Sequence, residues 1–410
     1  MVSLGDFMNL KKISDFSAID ALSFLSIFVS LVFFTNGELF GTSDNFIYYF
    51  PYAICLASLV LEILVKRNLL NGYIIWRIFL IALFCISFVF AINTNSVFVA
   101  VKKYILQTFV VILVSYKANQ RGNNINLIMN LFTMATFINM IYVIVNADIV
   151  SLLRGVRLGA GTINSSWNAN DIGIDSVISL LFLIYNLRSN KHKKNLISYL
   201  LIFFFGLIVI MSGSKKCILM LVMVGIIYLI SSAPKKIFKN IIMISVLLIG
   251  TFIAITQIPF LYDHIGYRFE SAFSFFVENG GADKSTISRN NMVEFGIDFF
   301  KQSPVWGHGI NCYQDLYGLI TGRKVYSHNN FIEMLVGVGI IGFLTYYIYP
   351  VAIILKKTEN DRRKHFIKSF LISLIILDYA MVSYLSPDIQ IALCIIMSVI
   401  SSSGYIRKAV

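Results

Sequence analysis

The run Tyr326-Ser327-His328-Asn329-Asn330-Phe331 gives way within a few positions to Gly337-Val338-Gly339-Ile340-Ile341-Gly342. It closes the one long polar interval, 259–328, in a chain otherwise built of apolar segments. A helix crossing the hydrocarbon core of a bilayer needs about 20 apolar residues. The chain therefore reads as a series of membrane helices with one long loop lodged between two of them. Within that loop stand Arg268, Arg289 ahead of an amphipathic segment, Pro304, and the turn Gly307-His308-Gly309. A loop edged by His, Arg and Gly between membrane helices is where chemistry is expected.

Composition agrees with a membrane fold. Of 410 residues 57% are hydrophobic and 13% charged, and the mean hydropathy is +0.77. Soluble domains carry about 25% charged residues. Cys55, Cys85, Cys217, Cys312 and Cys394 are scattered and include no Cys-x-x-Cys pair, which argues against a disulfide framework and a zinc site. No cleavable signal peptide is expected, because no Ala-x-Ala site follows the first apolar run.

Twelve spans are read: 18–35, 46–65, 73–92, 97–116, 125–146, 172–187, 196–212, 216–232, 240–258, 329–355, 366–385 and 388–403. With both termini inside, 20 of the 34 lysines and arginines fall in short inner loops or tails, at 11–12, 66–67, 117–121, 188–194, 235–239, 356–364 and 407–408. The net charge of +13 is thus a topology signal, and no nucleic-acid partner is expected. This orientation puts the loops 147–171 and 259–328 outside. The same face keeps Lys102, Lys103, Arg154, Arg157, Lys215, Lys216, Arg268, Lys284, Arg289, Lys301, Arg323 and Lys324. That many cations, where the positive-inside rule gives no reason for them, point to an anionic ligand.

Each motif has two readings. His328 carries the side chain best suited to proton transfer near neutral pH, while Asn329 either orients it, binds a sugar hydroxyl, or simply caps a helix. His264 and His308 read as loop residues. The stretch Thr286 to Gln302 spaces Met292, Phe295, Gly296, Phe299 and Phe300 as an amphipathic helix on the membrane surface. Arg289 then falls in its first turn, an anion site or a solvated arginine. Arg157 suits phosphate oxygens, and Trp167 with Asn164, Asn168 and Asn170 suits a sugar or a polar interfacial loop. Lys215 and Lys216 follow the tight turn Ser212-Gly213-Ser214, poised for phosphate or for snorkelling. Within the membrane, Arg77, Asp175 and Asp378 call for an internal ion pair, or less readily a proton path.

The sequence has no Gly-x-x-x-x-Gly-Lys-Ser/Thr loop, no His-Glu-x-x-His helix and no Asp-x-Asp pair. No metal ligand set and no cofactor are expected, which makes a metal- and nucleotide-activated donor a poor fit.

Taken in order, these motifs resemble the O-antigen ligase and O-antigen polymerase superfamily of bacterial envelope glycan assembly. The likeness rests on His328-Asn329 followed by Gly339 and Gly342, a His-Asn-x9-Gly-x-x-Gly pattern, preceded by Arg289, Pro304 and Gly307-x-Gly309. Arg157 with Asn168-Ala169-Asn170 is similar to the family's Arg…Asn-Pro-Asn segment, with Ala in place of Pro. Ser212 to Lys216 is similar to its Ser-x-Ser-Arg turn, with Lys in place of Arg. The resemblance covers about Arg154 to Tyr346.

The resemblance implies a metal-independent glycosyltransferase of GT-C type in the bacterial cytoplasmic membrane. It would act at the outer face on undecaprenyl-diphosphate-linked oligosaccharide, amid membrane lipid and beside a chain-length regulator and flippase of the same pathway. Arg157, Lys215 or Lys216, and Arg289 would hold the diphosphate, with Arg268, Asn168 and Asn329 as further substrate contacts. His328 would take the acceptor's proton. The expected fold is all-α, one polytopic domain over 1–410 of about twelve membrane helices, GT-C-like, with the loop 259–328 carrying amphipathic helices. The leading function is repeat-unit polymerase. A ligase passing glycan to lipid A-core is the alternative within the class, and a lipid-linked oligosaccharide flippase the alternative outside it. A transporter has less need of a 70-residue outer loop.

Overall fold

Helices begin where the polar breaks end, and short polar side chains mark the starts. Asn71 caps one helix by accepting the Ile74 amide at 3.1 Å, and Ser17 with Asp20 forms a reciprocal capping box at another. The computed structural model describes residues 17–35, 46–65, 70–120, 124–159, 168–189, 196–232, 237–267, 270, 284–357 and 361–401. Among them the fold is all-α. In chain order come α1 (Ala18–Phe34), α2 (Phe50–Val65), α3 (Gly72–Ile86), α4 (Thr94–Asn119), α5 (Asn124–Val145) and the short α6 (Ile149–Leu153). Then follow α7 (Ala169–Ser189), α8 (Leu196–Met211), α9 (Lys215–Ser232) and α10 (Ile237–Gln257). A cap holds α11 (Lys284–Gln302) and α12 (Tyr313–Thr321), and α13 (Asn330–Leu355), α14 (Arg362–Leu377) and α15 (Pro387–Ser401) complete the bundle.

Among the described residues eight helical stretches are long and apolar enough to cross a membrane, and α1, α8 and α15 are shorter apolar helices. All twelve expected spans have a helix at their place. The eleventh differs most. It was expected over 366–385, but α14 starts in the basic run at Arg362 and stops at Leu377. The stop has a tertiary cause. The Asp378 carbonyl accepts the Asn330 amide at 2.7 Å, and its carboxylate takes the Tyr347 hydroxyl at 2.8 Å and the Asn330 side chain at 3.3 Å. Asn330 Oδ1 in turn accepts the amides of Ser383 and Tyr384. Residues 378–386 are thus folded around one buried asparagine.

Lipid tails are as apolar as leucine, so membrane helices associate through small residues and polar contacts rather than hydrophobic burial. Between α1 and α2 this is visible as a ladder: Ser23 donates to Glu62 at 2.9 Å, Ser26 meets Ser58 at 2.8 Å, and Ser30 meets Cys55 at 3.1 Å. Lys117, fully buried near the end of α4, pairs with Asp20 at 2.6 Å and with Glu62, and locks three helices at one end of the bundle. α4 is the central post, packed by α2, α3, α5 and α15.

The expected ion pair for Arg77 is not what forms. Buried Arg77 donates to Gln390 and to Thr108 at 3.1 Å and lies 4.0 Å from the centre of the Tyr104 ring. Asp378 is held by neutral donors, and Asp175 meets another carboxyl, Asp388. For Arg77 and Asp378, neutral hydrogen-bonding groups and an aromatic face thus do the work that an opposite charge was expected to do.

At the other end of the bundle, opposite the Lys117 cluster, lies the cap. α11 does not rest its apolar face on a membrane surface. Met292, Phe295 and Phe299 pack on Tyr313 of α12 and on Ile332 and Val336 of α13. Gly296 admits this approach, since a Cβ there would collide with Ile332. α12 is fastened to the turn before α4: Asp315 accepts from Asn93 at 2.9 Å, Ser96 at 2.5 Å and Lys324 at 2.8 Å. Burial alone would push the Asp315 carboxyl up, but these three donors outweigh it and hold it below its ordinary range.

Candidate active site

The long helix α13 is continuous in outline but broken at Gly339, whose φ of 62° and ψ of −166° belong to glycine alone. The break frees two backbone groups, and the cap takes both. His308 donates its amide to the Val336 carbonyl at 2.8 Å, and Ile340 donates to the Pro304 carbonyl at 2.9 Å. Gly307 lies against the Gly337 carbonyl so closely that an added Cβ would stand 2.6 Å from it. The Gly307-x-Gly309 and Gly337-x-Gly339 motifs are therefore two halves of one backbone contact. His308 is structural in its side chain as well, with Nε2 at 2.9 Å from the Phe299 carbonyl.

This staple fixes the start of α13, where His328 stands. Asn329 is its N-cap: Oδ1 accepts the amides of Phe331 at 2.9 Å and Ile332 at 3.2 Å, and the residue is buried. Its side-chain oxygen is thereby engaged by the helix start. His328 itself is half-buried, has a left-handed φ of 56°, and lies with its ring 4.1 Å from that of Tyr326. Burial, together with the positive charges of Arg289 and Lys216, lowers its pKa from 6.5 to about 4. The imidazole is neutral at physiological pH and its lone pair is available for a proton.

Two further loops supply the cations. Arg157, after α6, donates Nε to the Ser212 carbonyl at 2.7 Å and its guanidinium to Asn170 Oδ1 at 2.9 Å. Ser214 donates to the same oxygen at 3.0 Å. The guanidinium plane is thus set by the Ser212–Ser214 turn and by the first turn of α7. That turn depends on Gly213, at φ 56°, where a Cβ would meet the His264 carbonyl at 2.9 Å. His264 is buried in the segment that follows α10 and covers both Gly155 and Gly213.

Arg157 and Arg289 each lie within electrostatic range of Lys216, and Lys216 and Arg289 act on His328. Lys215, half-buried beside Lys216, is not among the groups acting on His328. Arg289 is exposed and makes no ion pair among the described residues. Because α11 begins at Lys284, two residues earlier than expected, Arg289 falls in the second turn, past the orphan amides of the helix start. Its contribution is its guanidinium. Asn168 is exposed and caps the Asn170 amide at 3.0 Å, so the asparagine that meets Arg157 is Asn170 rather than Asn168. Arg268 lies outside the described residues.

Missed in the sequence were Asn170 and the Ser212 carbonyl as partners of Arg157, and Tyr326 as the neighbour of His328. The Asn-Ala-Asn and Ser-Gly-Ser patterns held the signal, but only the tertiary contact says which member is used.

A neutral imidazole beside two cations, with Arg157 next to one of them, can bind a polyanion and accept a proton from a group placed next to it. Among the described residues no cluster of three or more His, Cys, Asp or Glu could hold a metal ion.

No curated protein matches the chain. Arg157, Asn168 and Asn170 precede the part of the chain that a family description covers, whereas Lys215, Lys216, Arg289 and His328 all fall within it. Residues 200–347 match the family model for O-Antigen ligase, and that match supports the likeness to the O-antigen ligase and O-antigen polymerase superfamily.

Proposed function

We propose that the protein is a glycosyltransferase that polymerises undecaprenyl-diphosphate-linked repeat units at the outer face of the cytoplasmic membrane. The observation that carries this reading is the run of cations beside His328: Lys216 and Arg289 act on the imidazole, and Arg157 acts on Lys216. The acceptor sugar hydroxyl attacks the anomeric carbon of the donor glycan while the bond from that carbon to the diphosphate oxygen breaks. His328 takes the hydroxyl proton, and the diphosphate leaves as an anion held by the three cations. Charge arranged in advance where charge develops is often the largest single contribution to catalysis.

The lowered pKa of His328 fits this sequence of events. In the free protein burial and, after it, the neighbouring cations suppress its basicity. A bound diphosphate offsets those charges, so His328 becomes a better base when donor is in place.

The match to an O-Antigen ligase model favours a second reading, transfer of the finished glycan to lipid A-core. A deletion strain separates the two. Polymerase loss leaves single repeat units on the terminal anchor, whereas ligase loss leaves long chains on the lipid carrier. Unchanged glycan in the deletion strain overturns both.

A further inference from the structure

Between His328 and the body of α13 lies a buried carboxylate that the mechanism has not used. Glu333, 2% exposed, accepts the backbone amide of Ser327 at 2.7 Å. An acid at a helix start is ordinarily explained by capping or by the helix dipole. Neither accounts for this contact. The cap is Asn329, which already takes the amides of Phe331 and Ile332. A capping-box acid sits three residues after the cap and returns to the cap amide. Glu333 sits four after it and reaches past the cap to Ser327.

That reach brackets His328. On one side Glu333 holds the Ser327 amide. On the other, the Ser327 hydroxyl donates to the Asn329 carbonyl at 2.8 Å and accepts the Asn329 amide at 3.2 Å. The histidine between them has a left-handed φ, which a residue with a Cβ keeps only when its surroundings impose it. Apart from Asn311, His328 is the only described non-glycine residue with positive φ.

We propose that Glu333 is a positioning residue for His328, acting through the Ser327 amide. It supplies an acceptor at a set reach, and this holds the imidazole beside Tyr326 and towards Lys216 and Arg289. The proposal rests on His328 being the proton acceptor. What Glu333 provides is an oxygen at a fixed place, so its charge is secondary.

Two variants separate these properties. Glu333→Gln keeps the oxygen and its reach but removes the charge. Glu333→Asp keeps the charge and suits a helix start, but is one methylene too short. Turnover and donor KM would be measured on purified protein in lipid with a defined lipid-linked repeat unit, alongside His328→Ala. Glu333→Gln is expected to stay within about threefold of the parent turnover. Glu333→Asp is expected to lose about 10- to 100-fold in turnover with donor KM nearly unchanged, the effect of a slightly misplaced reacting group. Parent-like turnover in Glu333→Asp overturns the proposal. So does a Glu333→Gln protein as impaired as Glu333→Asp, or a loss expressed wholly in KM. Full turnover in His328→Ala is a separate outcome: it removes the base assignment, and the positioning role with it.

Discussion

The amide of Ile340 donates to the carbonyl of Pro304 at 2.9 Å, across a helix broken at Gly339. Through this bond and its neighbour from His308 to Val336, the cap is joined to backbone rather than to side chains. The start of α13 is set by the same contact, and His328 with it.

Gly339 is accordingly the most demanding glycine among the described residues. A Cβ at this position would overlap the Val305 carbonyl, and its backbone region is closed to other residues. Gly339→Ala is expected to lower the melting temperature in detergent, with backbone strain alone costing about 1–3 kcal/mol. Gly206→Ala, in α8 with nothing within 4 Å of the new methyl, is the control and should be neutral or stabilising. Equal melting temperatures for Gly339→Ala and the parent would mean that the break is not imposed by the cap.

His328→Ala is expected to abolish long-chain polymer while protein in the membrane stays near parental amounts. Loss of a general base costs about 10²–10⁴-fold in rate. Near-normal chain length in this variant would reduce His328 to a helix-start residue.

The pH dependence follows from the direction of its pKa. With His328 as the proposed base, neutral imidazole is the active form, and burial with Arg289 and Lys216 disfavours the protonated form, down to about 4. The kcat/KM of the free protein should therefore hold as pH falls through 6 and be lost only near 4. In kcat the same limb should lie higher, because a bound diphosphate favours imidazolium. Arg289→Ala should move the kcat/KM limb upwards, towards 6.5. A limb that Arg289→Ala leaves in place would show that the guanidinium does not reach His328.

Arg157 spends two donors of one rigid fork on Ser212 and Asn170. A lysine cannot reproduce both, since its ammonium is a point charge on a flexible stem. Arg157→Lys is expected to lose roughly 10- to 150-fold in polymer formation, the equivalent of about 1.5–3 kcal/mol for one charge-assisted hydrogen bond. Lys216→Arg should be tolerated or improved. Full activity of the Arg157→Ala, Arg289→Ala double variant would place the phosphate site elsewhere.

Orientation can be read with a reporter active only outside the cell. It should report at position 280 and stay silent at 192, 237 and 361. Activity outside at 237 would reverse the bundle and move the site to the cytoplasmic face.

Much of this was present in the sequence because its signals are local. An apolar run of about 20 residues becomes a helix wherever it lies, and twelve such runs each found one. The spacing of Met292, Phe295 and Phe299 foretold α11, and the type and order of residues singled out His328, Arg157, Lys216 and Arg289. What local pattern does not contain is the partner. The face of α11 met protein instead of membrane, because Tyr313 and Ile332 cover it. α14 ended at Leu377, eight residues short of its expected span, because Asn330 claims the Asp378 carbonyl from 48 positions away. Arg77 settled on Tyr104 and neutral acceptors in place of an acid. Hydropathy and period thus determined by themselves which segments are helices and where the long polar loop interrupts them. Only long-range hydrogen bonding, forced by the cost of leaving a buried polar group unmatched, decided where helices stop, which asparagine meets Arg157 and how His328 is held.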